Sequence, residues 1–275
     1  MSISVEATPV FRRRRIRWDA LQLPLSAIIL LALWEGLVRW LGVPEYILPP
    51  PSSIAMSLVQ VVESPLLYQN AATTLIETIC GFGIAIVLGV LFAVLITESE
   101  TCARIMYPYF AGLQSMPKVA IAPLIVIWFG FGLPSKIVLA ALLAFFPMLV
   151  NAVEGLRAAD SGRLKLMQAL DASRWQTLRH VRLPYAMPFF LAGLELAGIY
   201  SMLGALVGEF VGAQKGIGYW LMAMNMNVDT SGSFALLVLL ALYGITLQRI
   251  IGMIRRRTLF WAQTGRSPSN GAKES

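Results

Sequence analysis

Residues 75–96 read LIETICGFGIAIVLGVLFAVLI, with Glu77 their one charged side chain. A helix rises about 1.5 Å per residue, so this run crosses the roughly 30 Å hydrocarbon layer of a bilayer. Lipid offers no partner to an unpaired peptide group, and no alternation with a polar lumen face suggests a barrel strand, so the run reads as a spanning helix. Working outward, comparable runs occupy 21–41, 106–129, 135–152, 185–208 and 233–254. The expected fold is an all-α integral membrane protein whose six transmembrane helices occupy 21–260.

The whole composition agrees. The 275 residues are 57% hydrophobic and 13% charged, with a mean hydropathy of +0.69. A soluble domain carries about 45–50% apolar and about 25% charged residues. A water-soluble enzyme, an extracellular binding module and a disordered regulator are therefore poor fits. The net charge of +7 sits in blocks beside apolar runs, as topogenic charges do, so a lipid membrane is the expected partner and nucleic acid is not. Two cysteines, Cys80 and Cys102, exclude a disulfide framework and a structural zinc site, and both are expected to be free thiols. The lone His180 excludes a histidine metal cluster and reads as a solvated helix residue. No cofactor is expected.

Topology follows from the basic residues. Arg12 to Arg15 and Arg17 precede the first run, Arg104 follows the second, and Arg157, Arg163, Lys165, Arg174, Arg179 and Arg182 separate the fourth and fifth. Arg249, Arg255, Arg256, Arg257, Arg266 and Lys273 lie at or beyond the end of the sixth. Eighteen of the 22 basic residues thus share one side, leaving Arg39, Lys118, Lys136 and Lys215. The positive-inside rule makes that side, with both termini, cytoplasmic. The first run is too long for a signal peptide and lacks a small-residue cleavage site, so it reads as a retained anchor. Residues 1–20 form a basic cytoplasmic segment, and 261–275, rich in Ser and Gly from Gly265 onward, a disordered tail.

Local punctuation refines the boundaries. Thr74 and Glu77 have capping-box spacing at the start of the second span. Pro184 suits the first turn of the fifth, and Ser231 and Ser233 are candidate caps for the sixth. Pro49-Pro50-Pro51 is a rigid stretch before a short helix near the outer surface. No internal repeat supports an inverted-repeat carrier.

The cytoplasmic loop 153–184 is the most informative segment. Leu164, Met167 and Leu170 share one face of a short helix, whereas Arg163, Lys165, Gln168 and Asp171 lie elsewhere. Spacing alone leaves three roles open: lying on lipid headgroups, capping the bundle, or docking a soluble protein. Ala172, Val181 and Leu183-Pro184 then match a longer pattern. The loop resembles that of inner-membrane permeases of ABC-type importers, whose pattern is Glu-Ala-Ala, three residues, Gly, nine residues, Ile or Val, one residue, Leu-Pro. Two departures stand out. Asp171 replaces the Gly, and Lys165-Leu166-Met167 replaces Glu-Ala-Ala; Asp is among the few residues that tolerate the left-handed conformation Gly supplies.

The resemblance runs from about Leu48 to Leu247 and is strongest to the nitrate, sulfonate, taurine and bicarbonate branch, with thiamine-pyrimidine and riboflavin permeases nearby. It rests further on Leu48-Pro49-Pro50-Pro51-Ser52, Gln114 to Ala120, Trp128 to Gly132, Phe146-Pro147 and Gly208 to Ala213. It implies the type I ABC importer permease fold, a homodimeric pore, two cytoplasmic ABC ATPase subunits and an extracytoplasmic solute-binding protein. It further implies that Lys165, Met167, Ala169, Leu170, Asp171, Ala172, Ser173, Trp175, Leu178, Val181, Leu183 and Pro184 form the ATPase-coupling element.

Ionisable residues within spans are costly, roughly 2.5–3.5 kcal/mol each at a helix centre on insertion scales. Glu35 and Arg39, four apart, read as a structural pair. Glu77 reads as a cap, and Glu195 has no obvious partner within the chain. Lys118 follows Pro117, which loosens its helix. Gln114, Pro117, Lys118 and Glu209 are the candidate pathway or gate residues, with a solvated helix end the alternative for Glu209. Gly204 and Gly208, with Gly193, Ala197, Ser201 and Ala205, form a small-residue packing face for another span or a second subunit.

No phosphate-binding loop is present, and Gly130-Phe131-Gly132 and Gly81-Phe82-Gly83 lack a dinucleotide context. Met222, Met224 and Met226 suit packing better than soft-metal binding. The chain reads as a transport subunit without covalent chemistry, moving a small anion or zwitterion, or else a pyrimidine precursor or riboflavin. The rival reading is a stand-alone ion-coupled secondary transporter.

Overall fold

The computed structural model describes residues 18–258, all helical apart from short connections. The expected basic segment before Trp18 and the tail after Thr258 lie outside the described residues. Helix α1 covers Trp18–Trp40 and α2 covers Pro51–Glu63, the short helix expected after the proline run. The long helices are α3 (Pro65–Glu98), α6 (Leu133–Arg157), α9 (Leu183–Gly212) and α11 (Thr230–Thr258). Between them stand α4 (Glu100–Ser115), α5 (Ala122–Phe129), α7 (Ser161–Ala169), α8 (Arg174–Thr177) and α10 (Ile217–Met226).

Four described helices are long and apolar enough to span a bilayer, and α4 with α5 makes a fifth candidate that is bent by 87°. The third expected span, 106–129, is thus two helices rather than one. Pro117 and a short 3₁₀ turn over Lys118–Ile121 separate them, because proline supplies no N–H and disfavours a helical residue before it. Gly130, at φ +82°, ends α5 in a conformation that other residues resist.

Two cap assignments require correction. Helix α3 begins at Pro65, where the Ser64 hydroxyl accepts from the Leu66 N–H, so Thr74 and Glu77 lie well inside it and cap nothing there. Asp229, rather than Ser231 or Ser233, receives the Gly232 N–H at the start of α11, at 2.8 Å. Pro184 does lie in the first turn of α9.

The centre of the fold is α6, packed between α3 and α9. The buried stripe of α3 runs Asn70, Thr74, Glu77, Thr78, Gly81, Ala85, Gly89 and Ala93, small or polar residues at helical spacing. The small-residue face of α9 meets α6 in the same way, which identifies its partner as a span of the same chain. A Cβ added at Gly204 would lie 2.6 Å from the Ala140 Cα, and one at Gly81 would lie 2.4 Å from the Ala140 Cβ. The large apolar side chains point outward instead, as at Val87 and Leu91. Helices in lipid gain little from hiding apolar groups from one another, so close packing of small residues holds the bundle.

Peripheral elements are tied by polar contacts. Glu35 accepts from Arg39 Nε at 2.6 Å, as its spacing predicts, and from the Ser52 N–H at 3.0 Å in the first turn of α2. Trp34 meets Phe234 edge-on at 6.1 Å, joining α1 to α11. Glu195 is also partnered, contrary to expectation: Arg255 reaches both its oxygens at 3.2 Å.

Gly204→Val is expected to disrupt the bundle, because its added carbons meet α6 backbone that cannot step aside. Overpacking typically costs about 1–3 kcal/mol. Gly83→Ala, where an added carbon meets nothing within 4 Å, serves as the control. Thermal unfolding in detergent should show a clear fall in midpoint for the first variant only.

Candidate functional site

The expected coupling loop is itself folded. Asp160 caps α7 by accepting from the Gly162 N–H at 3.1 Å. The helix ends with the Ala172 N–H bonded to Met167 O at 3.0 Å and the Asp171 N–H to Gln168 O at 3.1 Å. Those are the paired bonds of a Schellman turn, with Asp171 at φ +48° in the position usually given to glycine. Asp171 thus supplies the left-handed turn that the sequence predicted it would tolerate. Ser173 and Gln176 then form a capping box, through the Gln176 N–H at 3.3 Å and the Ser173 N–H at 2.8 Å, which starts α8. A π turn over Leu178–Arg182 carries the chain into α9.

This loop sorts the predicted residues into two groups. Leu170 is 68% and Trp175 65% exposed, and with Leu166 they form an apolar edge pointing away from the bundle. Lys165, Ala169, Asp171 and Ser173 are exposed too, whereas Ala172 is half-buried and Leu183 half-buried at the start of α9. Leu164 and Met167 are half-buried, so only Leu170 of the expected stripe is fully presented. Leu178 and Val181 are buried, and Leu178 belongs to the core with Met148, Leu156 and Phe190. These two anchor the loop rather than offer it to a partner, because their faces are already packed. Arg182 pairs with Glu98 at 3.1 Å and Arg163 stacks on Tyr185 at 5.1 Å, fixing the loop to α3 and α9.

Three of the four expected pathway residues converge at the broken span. Gln114, with Tyr107, Phe110 and Phe146, lines a cavity of about 320 Å³ that ends at Glu154 and Arg157. The Lys118 ammonium lies 4.7 Å above the Phe146 ring and donates to the Gln114 carbonyl at 3.1 Å. It thereby serves the C-terminal end of α4, where carbonyls lack helical partners and the helix dipole is negative. Pro117 makes the break that permits this. Phe92, Phe110, Phe145 and Phe146 stack edge-to-face beside the cavity, with centroids 5.1 to 6.4 Å apart. The cavity wall combines Tyr107 and Phe110 with the aliphatic Ile96, Leu149, Val150 and Val153, with the Gln114 amide and the charged Glu154 and Arg157 at its ends.

Glu209 lies elsewhere, and it is not a solvated helix end. It is 2% exposed, accepting from Thr74 Oγ1 at 2.6 Å and from the Gly218 N–H at 2.5 Å. Thr74 in turn accepts from the Ile217 N–H at 2.9 Å, and Asn70 from the Gly216 N–H at 2.8 Å. Three side chains therefore receive the free N–H groups that open α10. Gly216, at φ +119°, and Gly218 leave room for the carboxylate; a Cβ at Gly216 would fall 2.2 Å from it. Glu77, 1% exposed, lies close enough to Glu209 for the two carboxyl groups to interact. Lys136, equally buried, donates to Phe131 O at 2.6 Å and to Gly212 O, clamping the start of α6 to the end of α9.

Sequence reading singled out Glu209 but missed this constellation. The available signal was the spacing of Asn70, Thr74, Glu77 and Thr78, a polar stripe on one face of an apolar helix.

Replacing Glu209 with Ala should leave the buried Gly218 N–H at the start of α10 unpaired, at a cost of about 1–3 kcal/mol. The expected outcome is a lowered unfolding midpoint and faster proteolysis near Lys215. Glu209→Gln, which keeps an acceptor, should lie between the two. Equal protease resistance in all three would contradict the capping role.

Residues 85–260 match the family described as the binding-protein-dependent transport system inner membrane component. The riboflavin transport system permease protein RibX of Chloroflexus aurantiacus is 34% identical, over 90% of this chain and 92% of its own. The formylaminopyrimidine transport permease protein ThiX of Halalkalibacterium halodurans is 35% identical, over 83% and 90%. The taurine transport system permease protein TauC of Escherichia coli is 27% identical, over 95% and 98%. Among solved structures, an inward-facing MetNI methionine ABC transporter matches with a TM-score of 0.61 at 22% identity, over 70% of this chain and 95% of that one, which supports the fold. With a family match across most of its length and relatives above 30% identity, the chain belongs to the inner-membrane permease subunits of binding-protein-dependent ABC importers.

Proposed function

We propose that this permease carries a nitrogen heterocycle of the pyrimidine or flavin class, working as a homodimer with six spans and both termini cytoplasmic. The observation that carries the substrate reading is the cavity between α4 and α6, where Gln114 can pair with a ring edge and Tyr107 and Phe110 can stack on its face. The relatives named for riboflavin and formylaminopyrimidine transport share 34% and 35% identity, against 30% for a Bacillus subtilis sulfonate permease and 27% for the taurine permease.

A second copy is the natural cover for this site. Gln114 and Ser115 are exposed and Lys118 half-exposed on the α4 and α5 side, and hydrocarbon is a poor neighbour for such groups. Two such faces opposed would enclose one pathway between them. On the basic side, the edge formed by Leu166, Leu170 and Trp175 is the proposed seat of an ABC ATPase, and the extracytoplasmic binding protein delivers solute to the opposite side. ATP binding would draw the ATPases together, move the loop, and reopen the pathway to the other face.

Leu170→Glu places a charge in that contact while leaving the bundle alone, since Leu170 is 68% exposed. A buried unpaired charge costs about 3–5 kcal/mol, so ATPase affinity should fall by about a hundredfold or more. The variant should insert normally and lose the ATPase on purification; retention of the ATPase with solute-stimulated hydrolysis would overturn the docking assignment.

The substrate is tested in proteoliposomes holding the permease, its ATPase and its binding protein. A pyrimidine or flavin should stimulate hydrolysis, and Tyr107→Ala, a change at a residue 61% exposed, should weaken that stimulation. Stimulation by taurine or an alkyl sulfonate alone would replace the heterocycle with a sulfonate.

A further inference from the structure

Gln248, Arg249, Gly252, Met253 and Arg256 are spaced by one, three and four residues, and so lie along one stripe of α11. With Glu195 and Ile245 they line a groove of about 590 Å³ between α11 and α9. Three features of this groove are unusual for a spanning helix. Arg249 is exposed two turns before Arg256, inside the helix rather than at its basic end. The one carboxylate in the groove, Glu195, is already held by Arg255 through both oxygens. Among the described residues, neither Arg249 nor Arg256 has an acidic partner.

Gly252 lies between the two arginines, and a Cβ there would meet nothing within 4 Å, so the floor of the groove is open. Arg249 and Arg256 are seven residues apart, or about 10 Å along the axis. Beside them Ile245 is 46% and Met253 55% exposed, and Leu242, one turn nearer the middle of the helix, is 53% exposed. The groove thus offers two unpaired guanidinium groups above an apolar wall that continues along the span. A free inorganic anion would satisfy only the first of these. A molecule with a phosphate head and hydrocarbon tails satisfies both, and guanidinium groups match phosphate oxygens in bidentate geometry.

We propose that this groove binds the phosphate headgroup of an acidic phospholipid, with its acyl chains along Ile245 and Leu242. The binding is independent of the solute carried. It fixes a lipid between α9 and α11, the helices that Glu195 and Arg255 already bridge.

The test uses the full permease with its ATPase, purified in detergent with equal phosphatidylglycerol and phosphatidylcholine, and native mass spectrometry of the retained lipid. The wild type should retain phosphatidylglycerol selectively. The double variant Arg249→Gln/Arg256→Gln should lose that selectivity by roughly thirtyfold, as two basic groups at headgroup depth imply, while Arg257→Gln, outside the groove, should keep it. Excess inorganic phosphate should leave the lipid in place. If phosphate displaces it, the site belongs to a soluble anion and the lipid assignment fails. If the double variant retains lipid like the wild type, or sheds its ATPase instead, the assignment also fails. Should the double variant not fold, the single variants decide, each expected to lower selectivity about fivefold.

Discussion

Ala140 of α6 is held between two glycines, Gly81 of α3 on one side and Gly204 of α9 on the other, with separations that admit no side chain. Everything else in the bundle is set by that contact. Once the three backbones meet there, Gly89 must face Met148 and Gly193 must face Asn151, so the register of both flanking helices along α6 is fixed. Dispersion between closely packed atoms is small per pair and large in sum, and in lipid it takes the role that water exclusion has elsewhere. A three-helix slab results, and the functional parts are hung from its ends and its open side.

The two ends are secured differently. On the side of Lys215 the fastening is polar: Lys136 joins α6 to the last carbonyl of α9, and Glu209, Thr74 and Asn70 hold the start of α10. On the basic side it is mainly apolar, through Leu178 and Val181, with Arg182 and Arg163 bracing the loop from outside. Each anchorage suits its surroundings. Helix openings near the membrane surface leave N–H groups that demand acceptors, whereas a protruding loop needs a hydrophobic root so that its outer edge can be given to a partner.

Much of this was legible in the chain. The long apolar runs gave the helices because nothing else satisfies backbone groups in lipid. The proline run before Ser52, the Glu35–Arg39 spacing, the small face of α9 and the Asp171 turn were all visible as local rules. The failures share a cause. Hydropathy marks where apolar residues begin, but α3 starts ten residues earlier, at Pro65, because a helix begins where its cap is and not where its hydrophobicity is. Thr74 and Glu77 satisfied a capping pattern, yet their partners lie more than a hundred residues away, at Ile217 and Glu209. A separation of 60 residues likewise hid Glu195 from Arg255. The break at Pro117 was suspected from one residue, but the right angle it makes depends on where α5 packs against α6 and α9.

The continuity of α8, the π turn and α9 has a mechanical consequence. Arg174–Gly212 counts as one helix of 39 residues without a sharp bend, so it runs about 58 Å from the exposed loop to the opposite face. Such a body is a strut, stiff along its axis, while the right-angled α4 and α5 pair behaves as a leaf spring that yields at its corner. Compliance in the strut is confined to one place, where the π turn and Pro184 and Pro188 interrupt its hydrogen-bond ladder in succession. Beyond Pro188 the remaining rod is clamped to α6 at several glycines and at Lys136. Load applied near Trp175 would therefore be partitioned at that joint: rotation would be absorbed there, and thrust would travel on to Gly212.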